Sequence, residues 1–383
     1  MGGVLVHEWI GSTGGSEKVF EALAEAFPDA DLLCLWNDDP GRFGERAVEE
    51  TWMGHSPFRR HKAAALPLVP STWRHRKPHG YDWALASSHQ FAHHVSFAGT
   101  DVPKFAYVYT PARYLWNPEL DERGAGWPVR AVSPMLKALD RRRAKEPVSI
   151  AAISEFVRAR IGAAWDRDSQ VIYPPVDVAR IQAVPAWTDT VRADEAAVLD
   201  ALPETYLLGA SRYIPYKHLD LVIRAGELCD IPVVLAGSGP QRAELAELAA
   251  HASVPVVLVD EPSDALLFAL YERALAFVFP PVEDFGIMPV EAMATGCPVV
   301  ANRLGGAAES VRDGLSGALC DVDSPDELRA AVSKAAALDH ETVARQAKPF
   351  GRDRFLREVR DWLPTSAGRT SERLRGDVGI GMR

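Results

Sequence analysis

Two glutamates eight residues apart are the strongest candidates for chemistry in this sequence. Both lie in the run EDFGIMPVE: Glu283 follows the short apolar run Ala276–Phe279, and Glu291 lies about one turn into a helix predicted to start near Gly286. Carboxylate oxygens accept hydrogen bonds from sugar and ribose hydroxyls, and the first backbone N–H groups of the helix would add donors. The spacing also allows a simpler interpretation, in which Glu283 and Asp284 only cap the helix dipole.

Cations and glycines follow other predicted strands. Arg212 comes shortly after the apolar run Tyr206–Ala210, and Lys217 is five residues further on. An arginine makes forked contacts and a lysine acts as a point charge, so the pair suits a diphosphate, although charges are also common on such surfaces. Near the start of the chain, the turn GSTGGS would let backbone N–H groups approach an anion. It is not the G-x-G-x-x-G fingerprint, and the alternative is a flexible turn in which Ser16 caps the helix.

Short apolar runs that alternate with amphipathic stretches must position these residues. In the first half, the pattern predicts strands at residues 4–6, 83–87, 105–109 and 148–153, and a helix at Ser16–Phe27. In the second half, it predicts strands at residues 206–210, 233–236, 256–259, 276–279 and 299–301, each followed by a helix. This alternation is typical of doubly wound parallel sheets, whose ligands bind at the carboxyl ends of the strands.

The run Tyr173-Pro174-Pro175 ends the first alternating block. Residues 176–203 have no strong period and predict a linker with a peripheral helix. We therefore expect two Rossmann-like domains, over residues 1–178 and 179–351. Residues 352–362 predict an amphipathic helix with Phe355, Val359 and Trp362 on one face, and the polar tail beyond them is expected to fray.

Composition narrows the class of protein. The chain has 383 residues, of which 25% are charged, and a formal net charge of −10. Residues 1–178 carry 21 Lys and Arg against 22 Asp and Glu, whereas residues 179–383 carry 21 against 30. This balance argues against a nucleic-acid protein that works through a general basic surface. No apolar run approaches the roughly 20 residues of a membrane helix, no signal peptide is predicted, and four widely separated cysteines suit a reducing cytoplasm.

Taken together, these motifs resemble glycosyltransferase family 4, the retaining GT-B enzymes that use nucleotide sugars. The most specific part is Phe279–Asp321, which is similar to the family's E-x7-E signature and the pattern of glycines and a glutamate that follows it. The other matching pieces are GGSEK, YTPARYLW, VIYPPVD, GASRYIPYKHLD and AGSGP. The resemblance covers nearly the whole chain. It implies a GT-B fold, with two Rossmann-like domains facing each other across a cleft.

Each domain and each matching residue then has an implied role. Residues 1–178 would form the acceptor side, to which the tail 352–383 returns, and residues 179–351 would bind the nucleotide sugar. Glu283 would contact hydroxyls of the transferred sugar, and Glu291 would hold the ribose. Arg212 and Lys217 would neutralise the leaving diphosphate, where charge grows in the transition state. The implied backbone contacts to the donor come from Gly14, Gly15, Ser238, Gly239, Phe285, Gly286 and Ile287.

The sequence departs from the family pattern at two positions. Many family members have a histidine, thought to touch the transferred sugar, where this chain has Tyr109 in the run Tyr109-Thr110-Pro111. His89 ends the preceding predicted strand and is the alternative cleft group, although a single histidine is often structural. Asp260 stands where the family often has a glycine near the base, so the base is left open.

We expect no metal, because none of the three D-x-D triplets, at residues 29–31, 166–168 and 321–323, lies in a suitable predicted context after a strand. The segment Thr51–Tyr81 contains six cations and no acid: Arg59, Arg60, Lys62, Arg74, Arg76 and Lys77. One interpretation, centred on Arg59, Arg60 and Arg74, is a surface for an acceptor or an anionic membrane; the other is a solvated face. Arg113 is a further candidate for an acceptor phosphate.

We therefore expect a metal-independent, retaining glycosyltransferase. It would move a hexose, with mannose favoured by the run EDFGIMPVEAMA, from a GDP or UDP sugar to a hydroxyl of a glycan, lipid-linked or small-molecule acceptor. The nucleotide sugar is then a co-substrate, no cofactor is needed, and no nucleic acid is bound. The expected location is the cytoplasm, with peripheral contact at the inner membrane face. The alternatives are a GT-B sugar-nucleotide epimerase or phosphorylase and a non-catalytic sugar-nucleotide binder; the missing fingerprint disfavours a nicotinamide oxidoreductase.

Overall fold

The chain folds into two compact units. The computed structural model describes residues 2–12, 14–60, 65–74, 76–77, 80–118 and 127–363, with only the backbone of residues 127–131. Unit 1 comprises the described residues up to Pro175 and those from Asp353 onward, and unit 2 comprises Val176–Arg352. The chain therefore leaves unit 1 after Pro175 and returns to it at Asp353. The tail predicted beyond residue 363 lies outside the described residues.

Unit 1 is built on a parallel sheet of seven strands in the order β3-β2-β1-β4-β5-β6-β7. The strands are β1 (Gly3–His7), β2 (Asp31–Cys34), β3 (Val48–Glu50), β4 (Trp83–Ser88), β5 (Lys104–Val108), β6 (Ser149–Ala152) and β7 (Gln170–Val171). The central strands β1 and β5 are buried along their whole length. Near-continuous burial is what a parallel sheet covered on both faces requires, and it explains the unbroken apolar runs in the sequence.

The helices of unit 1 connect these strands. They are α1 (Gly15–Ala26), α2 (Val69–Thr72), α3 (Arg113–Trp116), α4 (Trp127–Arg143) and α5 (Glu155–Trp165). In α1, Val19, Phe20 and Leu23 recur at helical spacing and are all buried. The prediction that Ser16 caps this helix is wrong: the cap position is Gly14, without a side-chain hydrogen bond, and the Ser16 hydroxyl donates to Glu17 Oε2 at 2.7 Å.

Unit 2 contains a parallel sheet of six strands in the order β10-β9-β8-β11-β12-β13. The strands are β8 (Leu207–Arg212), β9 (Val233–Ser238), β10 (Val256–Asp260), β11 (Ala276–Phe279), β12 (Val299–Asn302) and β13 (Gly317–Cys320). The helices are α6 (Val178–Gln182), α7 (Ala193–Asp200), α8 (Leu219–Cys229), α9 (Arg242–His251), α10 (Asp264–Arg273), α11 (Ile287–Ala294), α12 (Ala307–Ser310), α13 (Pro325–Ala336) and α14 (His340–Ala347).

The strand order reverses at one place in each sheet. In unit 1 it reverses between β1 and β4, which pair in parallel with His7 opposite Ser87. In unit 2 it reverses between β8 and β11, which pair through Leu207 and Ala276. At such a point the connections leave toward opposite faces and open a crevice beyond the carboxyl ends of the strands. The residues just after β1, β4, β8 and β11 are therefore the ones placed for ligand binding.

Helix α15, formed by residues 352–363, carries the chain back into unit 1. Its residues Phe355, Val359 and Trp362 are buried, as the predicted apolar face requires. Trp362 Nε1 donates to Ser149 Oγ at 2.9 Å, and Arg354 Nη2 donates to the carbonyl of Tyr173 at 2.7 Å. These contacts fix the returning helix beside β6 and the end of the first block.

Candidate functional site

The strand ends of unit 2 bring together the charged residues that the sequence singled out. Arg212 is the last residue of β8, and Lys217 ends the short 3-10 helix Pro215–Lys217 that follows. The Lys217 ammonium contacts Glu283 Oε1, in the loop after β11. Lys217 is buried, with 8% of its surface exposed, whereas Arg212 is exposed. This contact joins the two strands between which the sheet order reverses.

Glycines hold the loop that carries Glu283. The Gly306 N–H donates to the Glu283 carbonyl at 2.7 Å, and a Cβ on Gly306 would lie 2.1 Å from the Asp284 carbonyl oxygen. Only glycine allows the two backbone segments to approach this closely. Gly286 has φ 87° and precedes α11, so the loop turns there through the left-handed region. The position of Glu283 therefore depends on residues more than twenty positions away.

The remaining donor candidates of unit 2 lie around the same edge. Glu291 is the fifth residue of α11 and is half-buried. Phe285 is buried, with its ring 5.8 Å from that of Phe350. Ser238 ends β9, and Ser238 and Gly239 are both exposed. The 285–287 backbone lies at the start of α11, where N–H groups without an intrahelical partner are available to a ligand.

Asp260 makes an ion pair at the neighbouring strand end. The Arg242 guanidinium donates three hydrogen bonds to the Asp260 carboxylate, at 2.6–3.0 Å. Both side chains remain substantially exposed, at 53% for Arg242 and 41% for Asp260. Asp260, the residue that departs from the family pattern, is thus paired with the neighbouring cation Arg242.

His89 and Glu8 lie at the corresponding edge of the unit 1 sheet, where β1 and β4 end. Glu8 was not among the residues predicted from the sequence. Glu8 directly follows β1 and is fully buried. Its Oε1 accepts from the N–H of Gln90 at 2.8 Å and of Ala92 at 2.9 Å, in the loop after β4. His89 Nδ1 lies 3.3 Å from Glu8 Oε2. The rule that ligand-binding residues follow strands could have singled out Glu8, just as it singled out Arg212.

The local electrostatics keep Glu8 ionised. Burial alone would raise the pKa of the Glu8 carboxyl, but the neighbouring His89 and His7 and the N–H groups of Ala92 and Gln90 outweigh it and hold this pKa below its usual range. Burial, together with His89, lowers the pKa of His7 to about 4. At neutral pH, the region therefore contains a carboxylate and a neutral His7.

Tyr109 is engaged within unit 1. Its hydroxyl donates to the carbonyl of Ser16 at 3.0 Å and lies 2.8 Å from Ser87 Oγ. Burial raises the pKa of Tyr109 well above its usual value, so the side chain stays neutral. Gly14 and Gly15, at the start of α1, are exposed. Of Tyr109 and His89, the histidine is the more accessible, with 20% of its side chain exposed.

A second buried polar cluster lies beneath the loop after β4. Asp140 Oδ1 is hydrogen-bonded to His93 Nε2 and His94 Nε2 at 3.0 and 2.9 Å. Asp140 Oδ2 accepts from the indole N–H groups of Trp116 and Trp165, both at 2.7 Å. Although burial alone would raise the pKa of Asp140, the histidine hydrogen bonds and charges lower it strongly; burial lowers the pKa of His94 to about 4. This carboxylate fixes α4 to the loop and to α5.

Three of the six cations in the predicted basic segment pair with acids from elsewhere in unit 1. Arg59 pairs with Asp38 at 2.7 Å, and Arg74 with Glu146 at 2.8 Å. Arg76 pairs with Glu49 at 2.7 Å, whereas Arg60 is exposed. Arg113 is the first residue of α3. Lys62 lies outside the described residues.

Two groups of side chains in the described part of the chain have metal-ligand spacing, with ligand atoms within 4.8 Å of one another: His7 with Glu8 and His89, and His93 with His94 and Asp140. Neither contains a D-x-D triplet. In the second group the ligand atoms are hydrogen-bonded to one another, so the geometry has an explanation without an ion. None of the helices that the structure describes is both long and apolar enough to cross a membrane.

This chain is similar to known proteins both in sequence and in fold. The family model for glycosyl transferases group 1 matches residues 192–351. A D-inositol 3-phosphate glycosyltransferase of Mycolicibacterium gilvum (strain PYR-GCK) is 32% identical over 218 residues, which cover 54% of this chain and 48% of that protein. A GDP-mannose-dependent alpha-(1-6)-phosphatidylinositol monomannoside mannosyltransferase of Mycolicibacterium smegmatis is 29% identical over 222 residues, which cover 54% of this chain and 57% of that protein. The chain thus spans about half the length of the curated relatives it matches.

The fold match extends over almost the whole chain. The crystal structure of Anabaena Alr3699/HepE in complex with UDP superposes with a TM-score of 0.69 at 19% identity, covering 94% of this chain and 100% of that one. The predicted fold class, two Rossmann-like parallel-sheet domains of the GT-B type, is confirmed. Residues 192–351 thus match a glycosyl transferase family model, and the fold of the two units is that of GT-B proteins.

Proposed function

We propose that the chain is a retaining, metal-independent hexosyltransferase of glycosyltransferase family 4. The observation that carries the proposal is the contact between Lys217 and Glu283, beside Arg212, at the point where the strand order of unit 2 reverses. A cation, a carboxylate and a further exposed cation at such a point are the groups that a sugar diphosphate needs. All three lie within the segment matched by the glycosyl transferases group 1 model.

Each of these groups has a distinct task in the proposed reaction. An ammonium has three donors, so Lys217 can keep Glu283 with one and hold a phosphate oxygen with another. Glu283 then accepts from a hydroxyl of the sugar, and Glu291 holds the ribose with help from the backbone of Gly286 and its neighbours. Arg212 neutralises the charge that grows on the diphosphate as it leaves.

Transfer proceeds on one face of the sugar. The bond between the anomeric carbon and the diphosphate oxygen breaks, the acceptor oxygen bonds to the same carbon from the same side, and the acceptor proton passes to the leaving phosphate. We assign no carboxylate as a covalent nucleophile, which distinguishes this scheme from that of a retaining glycosidase. The configuration of the anomeric carbon is therefore kept.

The donor and acceptor classes are proposed from the chemistry and the relatives. The donor is a GDP or UDP hexose, with mannose favoured because one relative's name is that of a GDP-mannose-dependent mannosyltransferase. The acceptor is a hydroxyl of a glycan, a lipid-linked sugar or a small molecule, bound on the side of unit 1. We also propose a cytoplasmic location with peripheral contact at an anionic membrane, for which Arg60 and Lys77 are exposed cations of the basic segment.

A panel of GDP and UDP hexoses tests the proposal in two steps. The cognate donor at 100 times its dissociation constant should raise the stability of the protein by about 2.7 kcal/mol, measured as a thermal shift. Transfer to candidate acceptors should then release the nucleotide and give a product of unchanged anomeric configuration by NMR, and a chelator should not reduce the rate. Loss of activity with a chelator, restored by Mn²⁺, would overturn metal independence.

Variants assign the activity to the site. Arg212→Ala should reduce turnover about 10²–10³-fold while folding is kept. Arg345→Ala is the matched control, because Arg345 is an exposed arginine of the same unit whose partners among the described residues, Glu341 and Thr342, lie within α14. Equal activity of the two variants would refute the phosphate role. Conversion of the donor without an acceptor would indicate an epimerase, a requirement for inorganic phosphate would indicate a phosphorylase, and binding without turnover would indicate a sensor.

A further inference from the structure

Glu8 and His89 meet at the point where the strand order of unit 1 reverses. Glu8 follows β1, His89 follows β4, and these are the two strands between which the order changes. The pair thus occupies in unit 1 the topological position that Lys217 and Glu283 occupy in unit 2. In parallel α/β sheets, this is where ligands bind.

The two oxygens of the Glu8 carboxylate have different surroundings. Oε1 accepts two short hydrogen bonds, from the N–H groups of Gln90 and Ala92, and has the Ser88 hydroxyl at 3.4 Å. Among the described residues, only His89 has atoms at hydrogen-bonding distance from Oε2, namely the backbone N–H and Nδ1, each at 3.3 Å, and a ring nitrogen of His7 lies within 4.8 Å of the carboxylate. An ionised, buried carboxylate oxygen favours a donor. The oxygen is therefore available to hold the Nδ1–H of His89.

Aromatic rings fix the His89 side chain from several directions. The imidazole lies edge-on to Trp9, with ring centroids 4.9 Å apart, and contacts His7 at 5.6 Å and Tyr109 at 6.2 Å. Nδ1 is the ring nitrogen nearest Glu8, Nε2 is separated from it by Cε1, and one fifth of the side chain is exposed. The ring is thus confined while one edge remains accessible.

The neighbouring polar groups, those of Tyr109, Ser87 and His7, are hydrogen-bonded to one another or buried. Because the Ser16 carbonyl can only accept, the Tyr109 hydroxyl must donate to it, and Ser87 Oγ then donates to Tyr109. This leaves Ser87 Oγ to accept from His7 Nδ1, 3.0 Å away, and the whole His7 side chain is buried. The Tyr109 hydroxyl is therefore engaged, and His7 Nε2, although it has no hydrogen-bond partner in the described part of the chain, is buried and less accessible than His89.

We infer that Glu8 is a positioning residue: it holds His89 in the Nδ1–H tautomer, so that His89 Nε2 accepts a hydrogen bond from a hydroxyl of a substrate. The substrate class is a polyhydroxylated sugar or cyclitol, as the donor sugar or as the acceptor. The inference rests on the proposed function for the identity of the reaction, but the tautomer does not. In this structure His89 Nδ1 is buried without a hydrogen-bond partner among the described residues, 3.3 Å from Glu8 Oε2, and poorly aligned contacts of this kind in ligand-free sites tighten when substrate binds.

The tautomer is measured first, on the unaltered protein. In a long-range ¹⁵N–¹H spectrum of histidine-labelled protein at a pH where the ring is neutral, His89 should show a protonated Nδ1 and an unprotonated Nε2; His89→Ala assigns the signals. A His89 with the proton on Nε2 would overturn the inference, and this measurement does not require a Glu8 variant to fold. It also stands if the protein transfers no sugar, so failure of the proposed function is distinguishable.

A double-mutant cycle tests the effect on transfer. His89→Ala should lower kcat/KM about tenfold, the loss expected for one hydrogen bond to a polar group, and Glu8→Gln should lower it by a similar or smaller factor. The double variant should be no slower than His89→Ala alone, because Glu8 acts through His89. Independent losses that multiply to about a hundredfold would show that Glu8 acts on the fold and not through His89.

Two further arms complete the test. A higher KM for the acceptor in His89→Ala assigns the hydroxyl to the acceptor, and a higher KM for the donor, also seen in donor hydrolysis, assigns it to the transferred sugar. No change in either KM or in kcat refutes the contact. Asp140→Asn is the matched control, since it alters another fully buried carboxylate of unit 1: it should lower stability while the His89 tautomer is kept.

Discussion

The two units place a carboxylate beside a nitrogen-bearing side chain at equivalent points of their sheets but surround the pair differently. In unit 1, the Glu8 carboxylate is fully buried and bound by backbone N–H groups, and only His89 is partly accessible. In unit 2, Lys217 and Glu283 have side chains that are 10% and 19% exposed, and the exposed Arg212 ends the adjacent strand. In unit 2, Lys217 and Arg212 are therefore accessible enough for a diphosphate to contact them. A ligand that approaches unit 1 finds one imidazole edge.

The difference separates two uses of polar residues at the end of a parallel sheet. Buried groups with complete hydrogen bonding stabilise the fold, and removing one partner leaves the others without compensation. Partly exposed charges contribute little to stability and remain available for binding. We therefore expect substitutions in the buried cluster around Asp140 to act mainly on the free energy of unfolding, and substitutions of the partly exposed Arg212, Lys217 and Glu283 to act mainly on turnover.

The largest effect is expected for Asp140→Ala in unit 1. The substitution would leave two imidazole and two indole N–H groups in the interior without their acceptor. Breaking a buried charged network by removing one partner costs about 3–5 kcal/mol. We expect a loss of that size in the free energy of unfolding of unit 1, with little effect on transfer at temperatures where the protein stays folded.

Tryptophan fluorescence measures this loss selectively. Nine of the ten tryptophans belong to unit 1, and Trp187 is the one in unit 2. In a Trp187→Phe background, a urea titration followed by fluorescence therefore reports the unfolding of unit 1. A loss below about 1 kcal/mol would mean that the buried cluster around Asp140 does not carry the stability that its hydrogen bonds suggest.

The next effect is expected for Gly306→Ala in unit 2. The added methyl group would lie 2.1 Å from the Asp284 carbonyl oxygen, so the loop carrying Glu283 must move. A displacement of about 1 Å at a substrate-positioning residue can cost about 10²-fold in rate. We expect transfer to fall about a hundredfold, measured as nucleotide release, while the unit 1 fluorescence transition is unchanged.

The control for this variant is Gly162→Ala. Gly162 lies in the exposed interior of α5, and a Cβ there would meet only the Arg167 carbonyl oxygen at 4.0 Å. An alanine in a helix loses less conformational freedom on folding than a glycine, so stability should rise by about 0.5–1 kcal/mol and transfer should be unaffected. If Gly306→Ala behaved in the same way, the backbone approach would not position Glu283.

The comparison also explains what could be predicted from the sequence. The central strands, the switch between two α/β blocks and the returning helix were predicted, because long apolar runs and helical spacing survive in a single chain. Four strands were missed: β2, β3, β7 and β13. They have two to four residues each, and β3 and β7 have no buried residue in the pattern that defines them. Strands this short give little periodicity to detect, and all of them except β2 lie at a sheet edge.

The site residues of the two units also differ in how well the sequence predicts them. In unit 2 the informative residues are close in sequence, so Glu283, Gly286 and Glu291 form one recognisable motif. In unit 1 the partners are far apart: Glu8 contacts residues more than eighty positions away. The basic segment shows the same limit, since its acids Asp38, Glu49 and Glu146 come from outside it. A local pattern cannot contain a contact that only the fold brings together.

The smallest effect is expected for Asp260→Ala, which tests whether exposure is what separates the two units. The carboxylate accepts three hydrogen bonds from Arg242, almost as many as Asp140 accepts in unit 1, but both side chains of this pair are substantially exposed. In water, such a pair contributes less than about 1 kcal/mol, and salt screens it further. Hydrogen exchange of unit 2 peptides should therefore show a loss below about 1 kcal/mol that shrinks further in 0.5 M salt. A salt-insensitive loss comparable to that of Asp140→Ala would mean that the number of hydrogen bonds, and not burial, determines the cost, and the division of roles between the two sheet edges would fail.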